Sequence, residues 1–200
     1  MEAVRTITGR AAPLDRADVD TDQIIPSRWL KRVERAGFGE GLFSEWRTDP
    51  GFVLNQPQFA GAPILVTGPN FGCGSSREHA VWALMDYGFR AVVSPRLADI
   101  FRTNCTKSGL LPVEVDAVTG ARLMHAVAAD PDLILTIDVE TGAVAAPSLG
   151  LTASFPLDEH TRRRFLEGLD DIGMTLRQED AIRAYEADRA AWLPVTTGPR

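Results

Sequence analysis

Apolar positions along this chain come in short runs broken by glycine and proline. Ile64-Leu-Val66 is a continuous apolar run after Pro63, which predicts a buried strand over 64–67. Ala91-Val-Val-Ser94 and Leu110 to Val115 predict two more strands, and Leu133-Ile-Leu-Thr-Ile-Asp-Val139 alternates as a strand should. A first strand is expected over 2–9. Gly142 opens a turn into Ala143–Ala146, and a further strand covers Leu151–Phe155. Helical spacing is found from Ala80 to Tyr87, closed by Gly88, and from Leu97 to Lys107, stopped near Gly109. Val118 to Ala129, 158–168 and 175–191 also read as helices, the last with Thr175-x-x-Gln178 as a capping box.

Between these elements lie three irregular stretches. Asp15 to Pro26 is acidic and turn-rich. Ser27 to Arg35 is basic and reads as a mobile loop or short helix, with a flexible exit at Gly37, Gly39 and Gly41. Pro57 and Pro63 bracket a turn. Strands alternate with helices in the middle and cluster at the ends, which predicts an α/β domain over 1–195, followed by a disordered tail over 196–200. No internal repeat is visible.

Composition narrows the class. Two hundred residues suit one domain, and a 44% hydrophobic, 24% charged chain is that of a soluble globular protein. The net charge of -6 argues against a general nucleic-acid binder. No apolar stretch has the length of a membrane span, and the first residues lack a signal-peptide core, so a cytoplasmic protein is expected. Cys73 and Cys105 make no disulfide framework and cannot by themselves hold an iron–sulfur cluster, which needs several thiolates.

Candidate chemistry concentrates in Gly68-Pro-Asn-Phe-Gly-Cys-Gly-Ser-Ser-Arg-Glu-His-Ala80. A strand precedes it and a helix follows. A helix start offers unpaired N–H groups and a positive dipole end, and Gly72 and Gly74 allow close approach to the backbone. The place suits a carboxylate or phosphate and the movement of a proton. The loop has no Gly-Lys-Ser/Thr of a P-loop, has Arg77 where a dinucleotide fingerprint has its third glycine, and lacks the second glycine of a nucleophile elbow, since Arg77 and Glu78 follow Ser76. Ser75-x-x-Glu78 also has capping-box spacing, and a capped helix start can still bind an anion.

Read whole, Gly72-Cys-Gly-Ser-Ser-Arg-Glu-His-Ala80 resembles the signature of the aconitase superfamily's swivelling domain. Asp20-Thr-Asp-Gln-Ile-Ile-Pro26, Phe101-Arg-Thr-Asn-Cys-Thr-Lys-Ser-Gly-Leu-Leu-Pro112, Asp171 to Glu186 and Gly37-Phe-Gly-Glu-Gly-Leu-Phe43 extend the match over about residues 5 to 194. Together these motifs resemble the bacterial small-subunit family of 3-isopropylmalate dehydratases. The resemblance implies a three-layer β/β/α swivelling domain. It implies a hydro-lyase that isomerises 2-isopropylmalate to 3-isopropylmalate in leucine biosynthesis. It also implies a heterodimer with a large subunit that supplies a [4Fe–4S] cluster, this chain holding no metal.

The same resemblance assigns residues. Ser75 is the catalytic base, acting as an alkoxide, and Asp22 orients the site. Ser76 and Arg77 bind substrate, and Arg32 or Arg28 takes a further substrate carboxylate. The loop from Ser27 to Gly41 sets specificity, with Trp29 and Leu30 as parts of an apolar wall. Asx-turn, solvated-loop and core-packing roles remain open for Asp22, the two arginines and the two apolar residues, and an ordinary first-turn role remains open for Ser76. Glu78 and His79 are read as structural, Asn104 and Lys107 as structural or interface groups, and His125 and His160 as surface residues. A zinc site from Cys73, His79 and Cys105 lacks a short paired spacing. Related hydro-lyases of the homoaconitase or citraconate/citramalate type, a stand-alone anion-binding module and a cysteine-based enzyme are the alternatives.

Overall fold

The computed structural model describes residues 1–31, 36–190, 192 and 193. Among these residues seven strands form one sheet in the order β4-β3-β2-β1-β5-β6-β7. They are β1 (Thr6–Leu14), β2 (Ile64–Thr67), β3 (Ala91–Ser94), β4 (Leu111–Glu114), β5 (Ile134–Asp138), β6 (Ala143–Ala146) and β7 (Leu151–Ser154). β1 to β4 run parallel, and β5, β6 and β7 add antiparallel neighbours beyond β1. The continuous apolar runs of β2 and β3 follow from this, since every residue of both strands is buried.

β1 lies at 6–14 rather than 2–9, because it serves two partners in turn. Thr6–Arg10 pair antiparallel with β5, and Ala11–Leu14 pair parallel with β2. Gly9 sits where a Cβ would come within 2.5 Å of the Pro63 ring. The Leu14 carbonyl accepts from Gly68 N–H at 3.3 Å, so the neighbouring Pro13 nitrogen faces the other side, where pairing with β5 has already ended. A proline there removes no ladder bond.

The crossover helices follow the sequence closely. A four-residue α1 (Thr21–Ile24) stands after β1, α2 (Glu78–Tyr87) links β2 to β3, and α3 (Asp99–Ser108) links β3 to β4. Gly88 (φ 119°) and Gly109 (φ 97°) close α2 and α3 in the left-handed region. The helix α4 (Ala117–Ala129) is capped by Asp116, whose carboxylate accepts from the N–H groups of Val118 and Thr119, and it packs on β1 and β2 through Gly120, Leu123, Met124 and Val127.

The C-terminal segment departs from the expected single helix over 175–191. After α5 (Glu159–Glu167) come two helices, α6 (Asp171–Leu176) and α7 (Glu179–Ala187). The Thr175-x-x-Gln178 capping box does not form. Thr175 lies inside α6, where its hydroxyl donates to the Asp171 carbonyl at 2.9 Å, while Asp170 caps that helix by accepting from Gly173 N–H. The chain turns helical already at Asp171, so Thr175 falls inside a helix and not at its start, and α7 begins after Gln178 without a side-chain cap. Among the described residues no helix is long and apolar enough to cross a membrane.

Candidate active site

Two loops at the carboxyl ends of β1 and β2 build the site by lying side by side. Gly72 and Cys73 N–H both donate to the Val19 carbonyl, at 2.8 and 3.2 Å, and Thr21 N–H donates to the Cys73 carbonyl at 3.0 Å. Asp20 and Cys73 thus form a short parallel bridge. Upstream, the Asn70 amide donates to the Asp18 carboxylate at 2.7 Å, and both residues hold positive φ. Gly72 has φ 78°, and a Cβ there would fall 2.2 Å from the Phe101 ring of α3. Glycine is therefore required by backbone angle and by space together.

The chain enters α1 through a reciprocal cap. The Asp20 side chain accepts from Gln23 N–H, and the Gln23 side chain accepts from Asp20 N–H. The capping box thus belongs to Asp20, not to Ser75. At α2 the N-cap position is held by Arg77, with no side-chain cap. Glu78 instead accepts from the Ser108 hydroxyl of α3 at 3.4 Å. The start of α2 keeps its backbone N–H groups free of a side-chain cap, and Ser75 and Ser76 stand exposed in front of it.

The loops bring together four of the predicted site residues. Asp22, from the first turn of α1, forms an ion pair with Arg77. The buried hydroxyl of Thr21 donates to the Ser75 carbonyl at 2.9 Å and lies 3.4 Å from the Ser75 hydroxyl oxygen. Ser76 lies between Ser75 and Arg77 in the chain. Asp22 is not the turn-forming acid that an Asx turn would make it; that task falls to Asp20.

The basic segment is arranged differently. The Arg28 guanidinium is engaged by the Glu45 carboxylate at 3.1 Å and by the Ser44 hydroxyl at 3.0 Å. Trp29 lies over Gly41, where a Cβ would meet its ring at 2.6 Å, and Trp29 and Leu30 both pack half-buried on the core. Arg32 lies outside the described residues. The exit at Gly37–Gly41 is anchored rather than flexible. Phe38 is fully buried and its N–H donates to the Asp86 carboxylate at 2.9 Å, while Gly39 packs directly on the backbone of Asp86 and Tyr87. These glycines permit close packing on the end of α2, a use that sequence spacing does not distinguish from mobility.

His79 meets Phe38 edge-on at 5.3 Å and Trp82 at 4.8 Å. Burial pushes the Cys73 thiol up, and the nearby Asp20 and Asp18 carboxylates push it further, so it is not a ready thiolate. Burial holds the Cys105 thiol well above its ordinary range. Asn104 is half-buried, and Lys107, His125 and His160 lie towards the surface. Among the described residues no group of three or more His, Cys, Asp or Glu side chains is placed to hold a metal ion. Two separated cysteines, one fully buried, do not fit an iron–sulfur cluster.

Fold and loops together define a swivelling domain of the aconitase type, and comparison with known proteins agrees. The model of the aconitase C-terminal domain matches residues 1–118. The model of the C-terminal domain of the 3-isopropylmalate dehydratase small subunit matches residues 171–198. A 3-isopropylmalate dehydratase small subunit from Frankia casuarinae is 61% identical over 98% of this chain and 100% of its own. One from Rubrobacter xylanophilus is 54% identical over 97% and 98%. The crystal structure of 3-isopropylmalate dehydratase (LeuD) from Methanocaldococcus jannaschii superposes with a TM-score of 0.64 at 27% identity, covering 90% of this chain and 99% of that one. The chain belongs to the family of 3-isopropylmalate dehydratase small subunits.

Proposed function

We propose that this chain carries the proton-handling half of a hydro-lyase site that interconverts 2-isopropylmalate and 3-isopropylmalate. It works in the cytoplasm as a heterodimer with a large subunit, and the [4Fe–4S] cluster belongs to that subunit. The observation that carries the reading is Ser75. Its backbone is pinned by the buried Thr21, its side chain is exposed, and it stands at an uncapped helix start with Arg77 nearby in the same loop.

The dehydration removes a proton from a carbon next to a carboxylate. Ser75 takes that proton as the base and returns it, on rehydration, to the carbon that had carried the hydroxyl, while the large subunit's cluster would supply the Lewis acid for the departing and returning hydroxide, so both balance over the cycle. A serine is a very weak acid, and its alkoxide needs local stabilisation. The uncapped N–H groups at the start of α2 and the positive end of its dipole supply this. Arg77 presents a planar fork of five donors. One arm is held by Asp22, which fixes the plane, and the others remain for a substrate carboxylate. Ser76 adds a hydroxyl donor at the same helix start. Trp29 and Leu30 supply apolar surface of the kind an isopropyl group requires, and Arg28 or Arg32 meets the second carboxylate. For Arg28 this role requires release from Glu45, an exposed pair of the kind worth little.

The test is an anaerobic assay. Mixing this chain with its cluster-reconstituted large subunit should convert 2-isopropylmalate, with neither subunit active alone. Turnover of a different 2-hydroxy dicarboxylate would keep the mechanism and change the substrate. Silence on all such acids, with complex formed and cluster intact, would contradict the proposal.

A further inference from the structure

The buried hydroxyl beside Ser75 is that of Thr21, which has no chemical role in the proton transfer described so far. Thr21 is 2% exposed, so it cannot itself touch substrate. Its own placement is firm. It is the first residue of α1, directly after the Asp20 cap, and its N–H is bonded to the Cys73 carbonyl at 3.0 Å. Its hydroxyl oxygen has two neighbours on the same residue, the Ser75 carbonyl at 2.9 Å and the Ser75 hydroxyl oxygen at 3.4 Å.

A threonine hydroxyl has one proton and two lone pairs, and the proton rotates to suit its partners. With that proton on the Ser75 carbonyl, lone pairs face the Ser75 hydroxyl. A neutral Ser75 can then point its own proton inward at Thr21 and keep a lone pair outward. Once Ser75 is ionised, the same arrangement sets two lone-pair oxygens against each other. Turning the Thr21 proton from the carbonyl to the Ser75 oxygen relieves this and gives the alkoxide a charge-assisted hydrogen bond. The rotation moves no proton between residues. It changes only which oxygen of Ser75 the Thr21 proton serves.

We propose that Thr21 is the positioning residue for Ser75, a buried hydroxyl rotor whose proton rests on the Ser75 carbonyl when Ser75 is protonated and turns to the Ser75 oxygen when it is not. The inference rests on the reading of Ser75 as the base.

The test compares Thr21→Val, Thr21→Ser and Ser75→Ala in the assembled two-subunit enzyme, with thermal unfolding of each small subunit alone to confirm the fold. Thr21→Val keeps the shape and removes the hydroxyl. It should lower kcat about 10- to 100-fold with little change in KM, the scale of one hydrogen bond to a charged group. Thr21→Ser keeps the hydroxyl and should restore most of kcat. Added to Ser75→Ala, Thr21→Val should cost nothing more, because it acts through the missing side chain. If Thr21→Val fails to fold, Thr21→Cys, with a weak donor at similar volume, replaces it and should show the same loss. Full kcat in Thr21→Val beside an inactive Ser75→Ala would overturn the role of Thr21 alone. Equal losses in Thr21→Val and Thr21→Ser would reduce Thr21 to a packing residue. Normal turnover in Ser75→Ala would overturn the reading beneath it.

Discussion

Asp22 and Arg77, separated by 55 positions in the chain, form an ion pair that crosses from the first turn of α1 to the cap of α2. The Arg77 side chain is the more buried partner, 20% exposed against 56% for Asp22. An acid so placed can hold the guanidinium while contributing little to stability, as expected for a partly solvated pair. Asp22→Asn keeps the shape and weakens the hold. It should leave the melting temperature nearly unchanged and lower kcat/KM about tenfold, read in the reconstituted complex.

Arg77→Lys retains the charge and loses the fork. A point charge cannot serve Asp22 and a substrate carboxylate in one plane, so KM should rise about tenfold or more. An unchanged KM would mean that the substrate carboxylate lies elsewhere.

The two loop glycines make a contrast in stability. Gly72→Ala must place a methyl 2.2 Å from the Phe101 ring at a φ of 78°. The backbone strain and the overpacking together should cost about 3 kcal/mol, or roughly 6–12 °C in melting temperature for a chain of this size. Gly74→Ala has a φ of 87°, but its nearest neighbour is 3.4 Å away. It should cost about 1–2 kcal/mol, from the backbone angle alone. Equal losses at both sites would contradict the close packing of Gly72 on α3.

Cys105 gives the protein a dependence on alkaline pH. Its thiol is raised above an ordinary value of 9.0 by burial, so the native chain keeps a proton that the unfolded chain releases. Stability from this group is therefore full below pH 9.0 and falls as the pH rises beyond that value towards the raised one. Denaturant midpoints measured from pH 8 upward should drop more steeply for the native chain than for Cys105→Ala. The same logic makes Cys73, raised by burial and by Asp20 and Asp18, slow to react with iodoacetamide at neutral pH.

Much of the fold was legible because its rules are local. The apolar runs at 64–67 and 91–94 are strands buried on both faces, and Gly88 and Gly109 end their helices where spacing predicts. What escaped depends on partners distant in sequence. β1 extends through Pro13 because pairing with β5 stops at Arg10, which no local pattern reveals. Gly37, Gly39 and Gly41 resemble a hinge, yet this stretch packs against Asp86, Tyr87 and Trp29. Of the two capping-box spacings near the site, Ser75-x-x-Glu78 and Asp20-x-x-Gln23, only the second is used. Ser75 is drawn to Thr21 instead, and Glu78 to Ser108. Thr21 does not stand out as a site residue in the sequence, although it sits between the two acids of the Asp20-Thr-Asp22 motif. The available signal was its position between those acids; what brings it to Ser75 is the bridge of Asp20 to Cys73, in a loop distant in sequence.

Ser75, as proposed, supplies the base for a dehydration completed by another chain. The most direct measurement is kcat for Ser75→Ala in complex with the cluster-loaded large subunit, alongside the unfolding curve of the variant. An intact fold and complex are expected, with kcat lower by about 10²–10⁴, the usual scale for loss of a positioned base. Near-normal turnover by that complex would contradict this role of Ser75.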